Sequence, residues 1–524
     1  VPWDVIADAV SGVLPAAVRL GPGVGEDAAL VEIGGELWAV AADPITFTAR
    51  DAGWLAVTVN ANDLAVRGAE PRFVVATVLV GPRDAEAARV QALLAEIADA
   101  CRDLGAALIG GHTEVTPGIE SSILALTMLG PVIDRPLTTG GARPGDLVGL
   151  VRQAGLEGTT ILVADHRDAL VTVYGAEWVT DFEETRGGGG EALSVVRPAL
   201  AAARMAGTTA LHDVTEGGVG EALWELSRAC GHALEIDREK VPVLPATVTL
   251  CRDLGIDPLG LIGSGGLLVT CGAEGADGLR NAVEATGVPL TWIGRVSDRD
   301  GPATGVPRFE RDELLVPHAL ARIHAVVFDM DGTLVDSRYD WPAIRSRLGV
   351  EGASIIDELN GLGEPDRSHK WNELEEIERR ASDEAGLHSG AHELLELLRD
   401  RGIVTALVTN NTAPNTAALL DRHGLCFDLV MTRDDGIWKP SGAPLVEAIR
   451  RLAVDPERTL AVGDSRYDLE AGRSAGCGVV CLVHEGQVRH GDEADLAFPS
   501  LGGLRRALEI VLSGGTSRAC GSAS

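Results

Sequence analysis

Four short stretches in the last 200 residues gather acids, a threonine and a lysine in an order suited to handling phosphate. In VVFDMDGTLVDS (326–337) an apolar run ends at Phe328, and Asp329 and Asp331 follow one residue apart. At that spacing two side chains leave an extended backbone on the same side. The pair can therefore hold Mg²⁺ while one carboxylate attacks phosphorus and the other moves a proton. Gly332 permits a sharp turn after them, and the Thr333 hydroxyl is expected to tie that loop. Further on, LVTNN supplies Thr409 and Asn410, a hydroxyl and backbone N–H groups to grip phosphoryl oxygens. WKP supplies Lys439, a cation to balance the pentacoordinate transition state. AVGDSRYD adds Asp464 and Asp468, hard oxygen donors that complete a metal set of Asp329, Asp331, Asp464 and Asp468. The chemistry this predicts is Mg²⁺-dependent phosphate transfer, with one of the paired acids as nucleophile and a small-molecule phosphate as substrate.

A second group of residues lies in the first 220 positions, where acids sit beside glycines. GVGEDAAL gives Glu26 and Asp27, AADPI gives Asp43, and VNANDLAVRGAEPRF gives Asn60, Asn62 and Asp63. IGGHTEV follows with His112, Thr113 and Glu114, and LHDVTEGGVGEAL with Asp213 ahead of a Gly-Gly turn. Acids at strand ends without a P-loop lysine suit phosphates bound through metal ions. Asp27, Asp43, Asn62, Asp63, Thr113, Glu114 and Asp213 are the expected members of that site.

These residues need strands and helices to place them. Strand-like runs at 37–42, 73–81 and 122–130 alternate with helix-like ones, and Ala85 to Leu104 carries apolar residues at helical spacing. The turn-rich GARPGD (141–146) opens a second α/β stretch, which includes the tract RGGGG (186–190), a loop or a place where backbone meets phosphate. From Arg322 onward strands and helices alternate as in a doubly wound parallel sheet, interrupted by a charged helical insert at about 338–389. The expected domains are 1–138, 139–318 and 322–513, with the small polar residues 514–524 a disordered tail. All of it belongs to the α/β class.

Bulk properties narrow the partners. A chain of 524 residues exceeds one hydrophobic core. Its net charge of −32 argues against a nucleic-acid surface and against docking on anionic lipid. None of the eight cysteines forms a C-x-x-C pair, and no apolar span is long enough for a membrane helix. Scattered, reduced cysteines and the lack of a signal peptide point to the cytoplasm.

The four carboxy-terminal stretches together resemble the haloacid dehalogenase superfamily, in its phosphoglycolate-phosphatase-like branch. That resemblance implies an aspartyl-phosphate on Asp329, Asp331 as general acid and base, and Mg²⁺ ligated by Asp329, Asp464 and the Asp331 carbonyl. The insert at 338–389 matches that branch's helical cap; it is short, which suggests an accessible site. The amino-terminal stretches resemble the AIR synthase (PurM) superfamily, which includes the hydrogenase-maturation HypE proteins, thiamine-phosphate kinase and selenophosphate synthetase. N-x-x-D-L-A-x-x-G-A-x-P and D-V-T-E-G-G-V are most similar to the HypE branch. This second resemblance implies ATP, with Mg²⁺ on Asp27, Asp43, Asp63 and Asp213, and a homodimer paired through the amino-terminal halves. The chain departs from that branch with GSGG at 263–266 in place of an N-E-G-like segment, and with His324 near where HypE carries its terminal cysteine. Cys520, in the tail, is a displaced carrier thiol or a plain free cysteine. The function expected is a bifunctional enzyme: ATP-dependent activation of a small metabolite joined to hydrolysis of a phosphomonoester. The alternatives are a HypE-like maturation protein acting on a protein partner, with the carboxy-terminal domain as accessory, or a phosphomutase.

Overall fold

A computed structural model describes residues 12, 14–45, 51–82, 84–119, 122–185, 192–351, 354–484 and 493–512. The RGGGG tract and the tail with Cys520 lie outside the described residues. The chain forms two compact units, and the second takes everything from Leu315 onward.

The first unit holds two sheets. One contains β1 (Val18–Leu20), β2 (Ala29–Ile33), β3 (Glu36–Ile45), β4 (Phe73–Val80), β5 (Ala107–Val115) and β6 (Ile123–Pro131), in the order β1-β2-β3-β6-β4-β5. All neighbours run antiparallel except β4 and β5. Strands β4 and β6 alternate half-buried and buried side chains, so one face of this sheet packs on the core. The helix Ala52–Val66 lies in that core with thirteen of its fifteen residues buried. The helix Ala87–Leu104 has the apolar face the sequence predicts, centred on Ile97 and Cys101.

The second sheet of this unit is wholly antiparallel. It contains β7 (Leu147–Val151), β8 (Thr208–Asp213), β9 (Leu234–Ile236), β10 (Leu267–Cys271) and β11 (Leu290–Val296), in the order β8-β10-β7-β11-β9. Strand β8 delivers His212 and Asp213 at its carboxyl end, and the helix Gly218–Cys230 follows a Gly-Gly turn.

The second unit is the parallel sheet expected of the last third. Strands β12 (Ala325–Phe328), β15 (Val404–Val408), β16 (Leu429–Met431), β17 (Thr459–Gly463), β18 (Val479–Val483) and β19 (Leu496–Phe498) lie in the order β16-β15-β12-β17-β18-β19. Every pairing is parallel. β12, β17 and β18 are buried along their whole length, which explains their unbroken apolar sequence. A two-stranded ribbon, β13 (Val335–Asp336) with β14 (Gly386–Leu387), brackets three helices at Trp341–Leu348, Ile355–Asn360 and Asp366–Glu384. These three pack on one another through Ile344, Leu348, Leu359 and Leu374. Among the described residues no helix is long and apolar enough to cross a membrane.

Candidate functional site

In the second unit the four predicted stretches meet at the carboxyl ends of adjacent strands, where open α/β sheets bind ligands. Asp329 follows β12, Thr409 follows β15, and Asp464 follows β17. Lys439 Nζ reaches both Asp329 Oδ1 (2.5 Å) and Asp468 Oδ1 (2.6 Å), and only 6% of its side chain is exposed. The other oxygen of Asp468 accepts from the Ser465 hydroxyl at 2.6 Å and from its backbone N–H at 3.2 Å. Asp468 thus holds Lys439 against Asp329 and caps the helix Arg466–Ser474.

Asp331 is oriented by two residues that the motif reading did not single out. Ser337 Oγ donates to one carboxylate oxygen and Asn411 Nδ2 donates to the other at 3.2 Å. Its side-chain oxygens are both hydrogen-bonded, as are those of Asp468, while Asp329, Asp464 and Asp468 each place one oxygen close enough together to share a cation. Gly332 has φ +88°, and a Cβ there would lie 2.2 Å from the Asp464 carboxylate, so only glycine lets that acid approach the loop. Thr333 does not tie the loop as expected: its buried hydroxyl has no hydrogen-bond partner among the described residues, and its backbone N–H bonds Met330 O instead. The Asn410 amide bridges both backbone groups of Lys439, at 2.9 and 2.8 Å, so its side chain positions the lysine rather than a phosphate.

Electrostatics fit a divalent cation here. Burial, with the charges of Asp329 and Asp468 added, pushes Asp464 up to about 8. Burial likewise raises Asp329 to about 7, against the pull of Lys439. Burial also raises Asp331, against the hydrogen bonds from Ser337 and Asn411. Burial draws Lys439 down, but Asp329 and Asp468 outweigh it and keep the ammonium charged. Carboxylates packed this closely are stabilised as anions by a dication.

Above these residues lies a cleft of about 430 Å³. Its far wall comes from the insert: Tyr339, Trp341, Ile355, Ile356 and Leu374, with Glu378 at one side. Two further bonds link the insert to the sheet unit. Glu378 pairs with Arg433 at 2.6 Å in a fully buried contact, and Asp357 accepts from Trp438 Nε1 at 2.9 Å.

The first unit brings Asp27, His212 and Asp213 within reach of a single ion. Asp27 Oδ2 contacts His212 Nδ1 at 3.0 Å and Arg67 Nη2 at 2.8 Å, while His212 Nε2 contacts Glu225 at 3.0 Å. Arg67 is fully buried; it also pairs with Glu26 at 3.1 Å and donates to the Thr139 hydroxyl at 3.1 Å. Burial disfavours the Asp27 anion, but His212 and Arg67 outweigh it and lower its pKa. Burial opposes charge on His212 too, yet Asp27 and Glu225 raise its pKa well above the ordinary value.

Asp63 and Asp213 stand in contrast. Asp63 Oδ2 and both oxygens of Asp213 are buried without a partner among the described residues. Burial and then neighbouring acids raise both well above the usual carboxylate range, each pushed by Asp27 and Asp43. Asp43 is raised by burial and by Asp27. Orphaned, desolvated carboxylates whose pKa values neighbouring acids raise further suit a hard dication. Asn60 fixes Asp43 by accepting from its N–H (3.0 Å) and donating to its carbonyl (3.3 Å).

Three expected members lie elsewhere. The Asn62 amide is fully buried and holds Leu193 O (3.0 Å) and Val195 N–H (2.8 Å), so it anchors backbone rather than ligand. Thr113 and Glu114 lie on the exposed edge strand β5, where Glu114 bonds His112 and Thr116. Among the described residues the acid cluster has no contact with them. Arg67, His212 and Glu225 carry the cluster's charge balance yet went unmarked in the sequence; Arg67 and His212 stand inside the very stretches that supplied Asp63 and Asp213. His324 leads into β12, its N–H bonded to Arg458 O and its carbonyl to Val404 N–H.

Comparison with known proteins covers both units. Residues 25–132 match the AIR synthase related protein N-terminal domain, residues 143–306 its C-terminal domain, and residues 323–476 the haloacid dehalogenase-like hydrolases. The chain is 32% identical to carbamoyl dehydratase HypE of Azotobacter vinelandii over 247 residues, 46% of this chain and 68% of that protein. It is 29% identical to a thiamine-monophosphate kinase of Methanopyrus kandleri over 256 residues, 48% of this chain and 74% of that protein. Its last third is similar to an uncharacterized hydrolase of Saccharomyces cerevisiae, 34% identical over 173 residues, 31% of this chain and 78% of that protein. Among solved structures, one of a HypE–HypF complex matches at 23% identity with a TM-score of 0.46, covering 56% of this chain and 92% of that one.

Proposed function

We propose that this chain, which belongs to the AIR synthase related family and carries a haloacid dehalogenase-like hydrolase domain, is a bifunctional enzyme. Its second unit hydrolyses a small phosphomonoester through an aspartyl-phosphate, and its first unit uses ATP to activate a small metabolite. The observation that carries the hydrolase reading is Asp329, held at 2.5 Å from a buried Lys439, with Asp331 just after it and its carboxyl shifted by burial toward the protonated form.

An Asp329 oxygen attacks phosphorus and the ester P–O bond breaks. Asp331 donates its proton to the departing alcohol oxygen. Water then loses a proton to Asp331 and attacks the aspartyl-phosphate, freeing inorganic phosphate and restoring both acids. Lys439 Nζ and the Thr409 hydroxyl meet the charge on the equatorial oxygens. A Mg²⁺ held by Asp329, Asp464 and the Asp331 carbonyl would supply further charge neutralisation at the phosphoryl group.

For the first unit, the unpartnered oxygens of Asp63 and Asp213 beside Asp27 and Asp43 support a Mg²⁺–ATP site. The outer strand β5, with Ile109 and Val115 more than half exposed, supports pairing of two copies through this unit. Joining the two activities in one chain fits sequential steps on one intermediate, since tethering raises its effective concentration.

A phosphate-release screen over a library of metabolite phosphates, with and without ATP, tests this. Asp329→Asn should lower ATP-independent release by at least about a thousandfold. Release unchanged in that variant would overturn the hydrolase reading.

A further inference from the structure

We infer that the second unit's cleft selects a phosphomonoester whose alcohol portion is uncharged and carries a flat ring, seated on the wall formed by Tyr339 and Trp341. The inference rests on the phosphatase reading above and adds the class of substrate.

Size comes first. A cleft of about 430 Å³ falls within the roughly 300–1,000 Å³ typical of sites for whole organic ligands, and a phosphoryl group would fill only its floor. The rest of the space faces the insert.

That wall is apolar and aromatic. Ile355, Ile356 and Leu374 are buried beneath it. Trp341 is 45% exposed although it lines the cleft, with its ring centroid 4.6 Å from that of Tyr339. A large exposed aromatic beside buried aliphatics marks a binding surface for apolar groups. The wall also begins at the reacting centre, because Asn411 Nδ2 contacts both Asp331 (3.2 Å) and the Tyr339 hydroxyl (3.5 Å). A ring one or two atoms from the ester oxygen would therefore reach it.

Charge excludes the acidic alternative. Three cations border the cleft or its wall. Lys439 is held by Asp329 and Asp468, Arg433 is buried against Glu378, and Arg345 has a partner of its own. Glu378 adds another acid to the lining. A leaving group bearing a carboxylate, as in phosphoglycolate, would meet acids without an uncommitted cation among the described residues, which is unfavourable at close range.

The test compares benzyl phosphate, propyl phosphate and phosphoglycolate, all of which release a primary alcohol of similar acidity, on the full-length protein with Mg²⁺. Benzyl phosphate should be hydrolysed with a kcat/KM at least about tenfold above either of the others, and Trp341→Ala should shrink the benzyl-to-propyl ratio about tenfold, mainly through KM. Trp341→Phe should restore most of it. A preference for phosphoglycolate, or a ratio that Trp341→Ala leaves unmoved, would overturn the inference. Binding separates this from failure of the phosphatase reading. The Asp329→Asn protein, titrated calorimetrically, should take benzylphosphonate about tenfold tighter than methylphosphonate, and Trp341→Ala in that background should erase the difference. If binding discriminates while no ester is hydrolysed, the phosphatase reading fails and the ring site stands. If neither binding nor turnover discriminates, the ring site fails.

Discussion

Replacing Asp213 by asparagine should stabilise the ligand-free protein while removing its response to Mg²⁺–ATP. Asp213 is 1% exposed, and neither oxygen has a hydrogen-bond partner among the described residues. Burial chiefly, and the charge of Asp27 next, raise its pKa well above 3.8. An amide of the same shape removes that ionisation. The amide stays unpartnered, so the gain comes from the removed ionisation alone, on the order of 1–3 kcal/mol. At about 2 °C per kcal/mol for a unit of this size, the melting transition should rise by roughly 2–6 °C. The sign of the pH dependence follows from the raised pKa. The folded carboxyl keeps its proton in a range where the unfolded one has lost it, so the wild-type penalty starts above the ordinary value and grows as pH rises. The advantage of Asp213→Asn should therefore be larger at pH 8 than at pH 5. Scanning calorimetry at both pH values, with and without Mg²⁺–ATP, measures it. Wild type should gain stability from the ligand by mass action and the variant should not. A variant that melts below wild type without ligand, or that responds equally to Mg²⁺–ATP, would refute the reasoning.

Three other perturbations have defined outcomes. Lys439→Ala leaves Asp329 and Asp468 buried without their shared cation and should cost roughly 3–5 kcal/mol in urea denaturation; adding Asp468→Asn should recover part of that loss. Arg67→Ala strips Glu26 and Asp27 of a fully buried partner and should destabilise by a similar amount, roughly 3–5 kcal/mol, with an Arg67→Lys protein intermediate between them. Glu378 is raised from 4.5 to about 7, chiefly by burial and against the pull of Arg433. Its ionisation therefore costs folded-state stability as pH climbs from about 4.5 to 7, by up to roughly 3 kcal/mol, and the cost is constant above that. Glu378→Gln should fall less steeply in stability than wild type between pH 5 and 7.5; equal slopes would show that the pair does not titrate in that window.

What the sequence disclosed and what it hid divide along physical lines. The parallel sheet of the second unit was legible because its central strands β12, β17 and β18 are buried along their whole length and read as unbroken apolar runs. Its acids were legible because they follow those runs directly. The helix Ala52–Val66 was not: buried on nearly every side, it has no polar stripe to set a period. Its residues Asn60, Asn62 and Asp63 look alike in sequence but serve apart. Asn60 clamps the Asp43 backbone, Asn62 holds 193–195 from another part of the chain, and only Asp63 offers a free oxygen to the cluster. Asn410 shows the same limit: its backbone N–H is the group expected at a phosphate, while its side chain braces Lys439 through a contact across 29 residues that no motif spacing signals.

Long-range pairing accounts for the rest. His212 meets Asp27 across 185 residues and Arg67 reaches Leu211 O across 144, separations at which spacing carries no signal. Those contacts decide how each acid behaves. Asp27 and Asp213 both read as acids beside glycines, yet against burial His212 and Arg67 lower the pKa of Asp27, while burial and then Asp27 itself raise that of Asp213, one residue from the same histidine. On the proposed Mg²⁺–ATP reading, a cation would meet one acid biased toward its anion and others biased toward their protonated forms. On that reading binding should tighten with rising pH, which Mg²⁺ titrations at about pH 6 and pH 8 measure. The motifs supply the donors, but the buried cations between them set the order in which those donors become available.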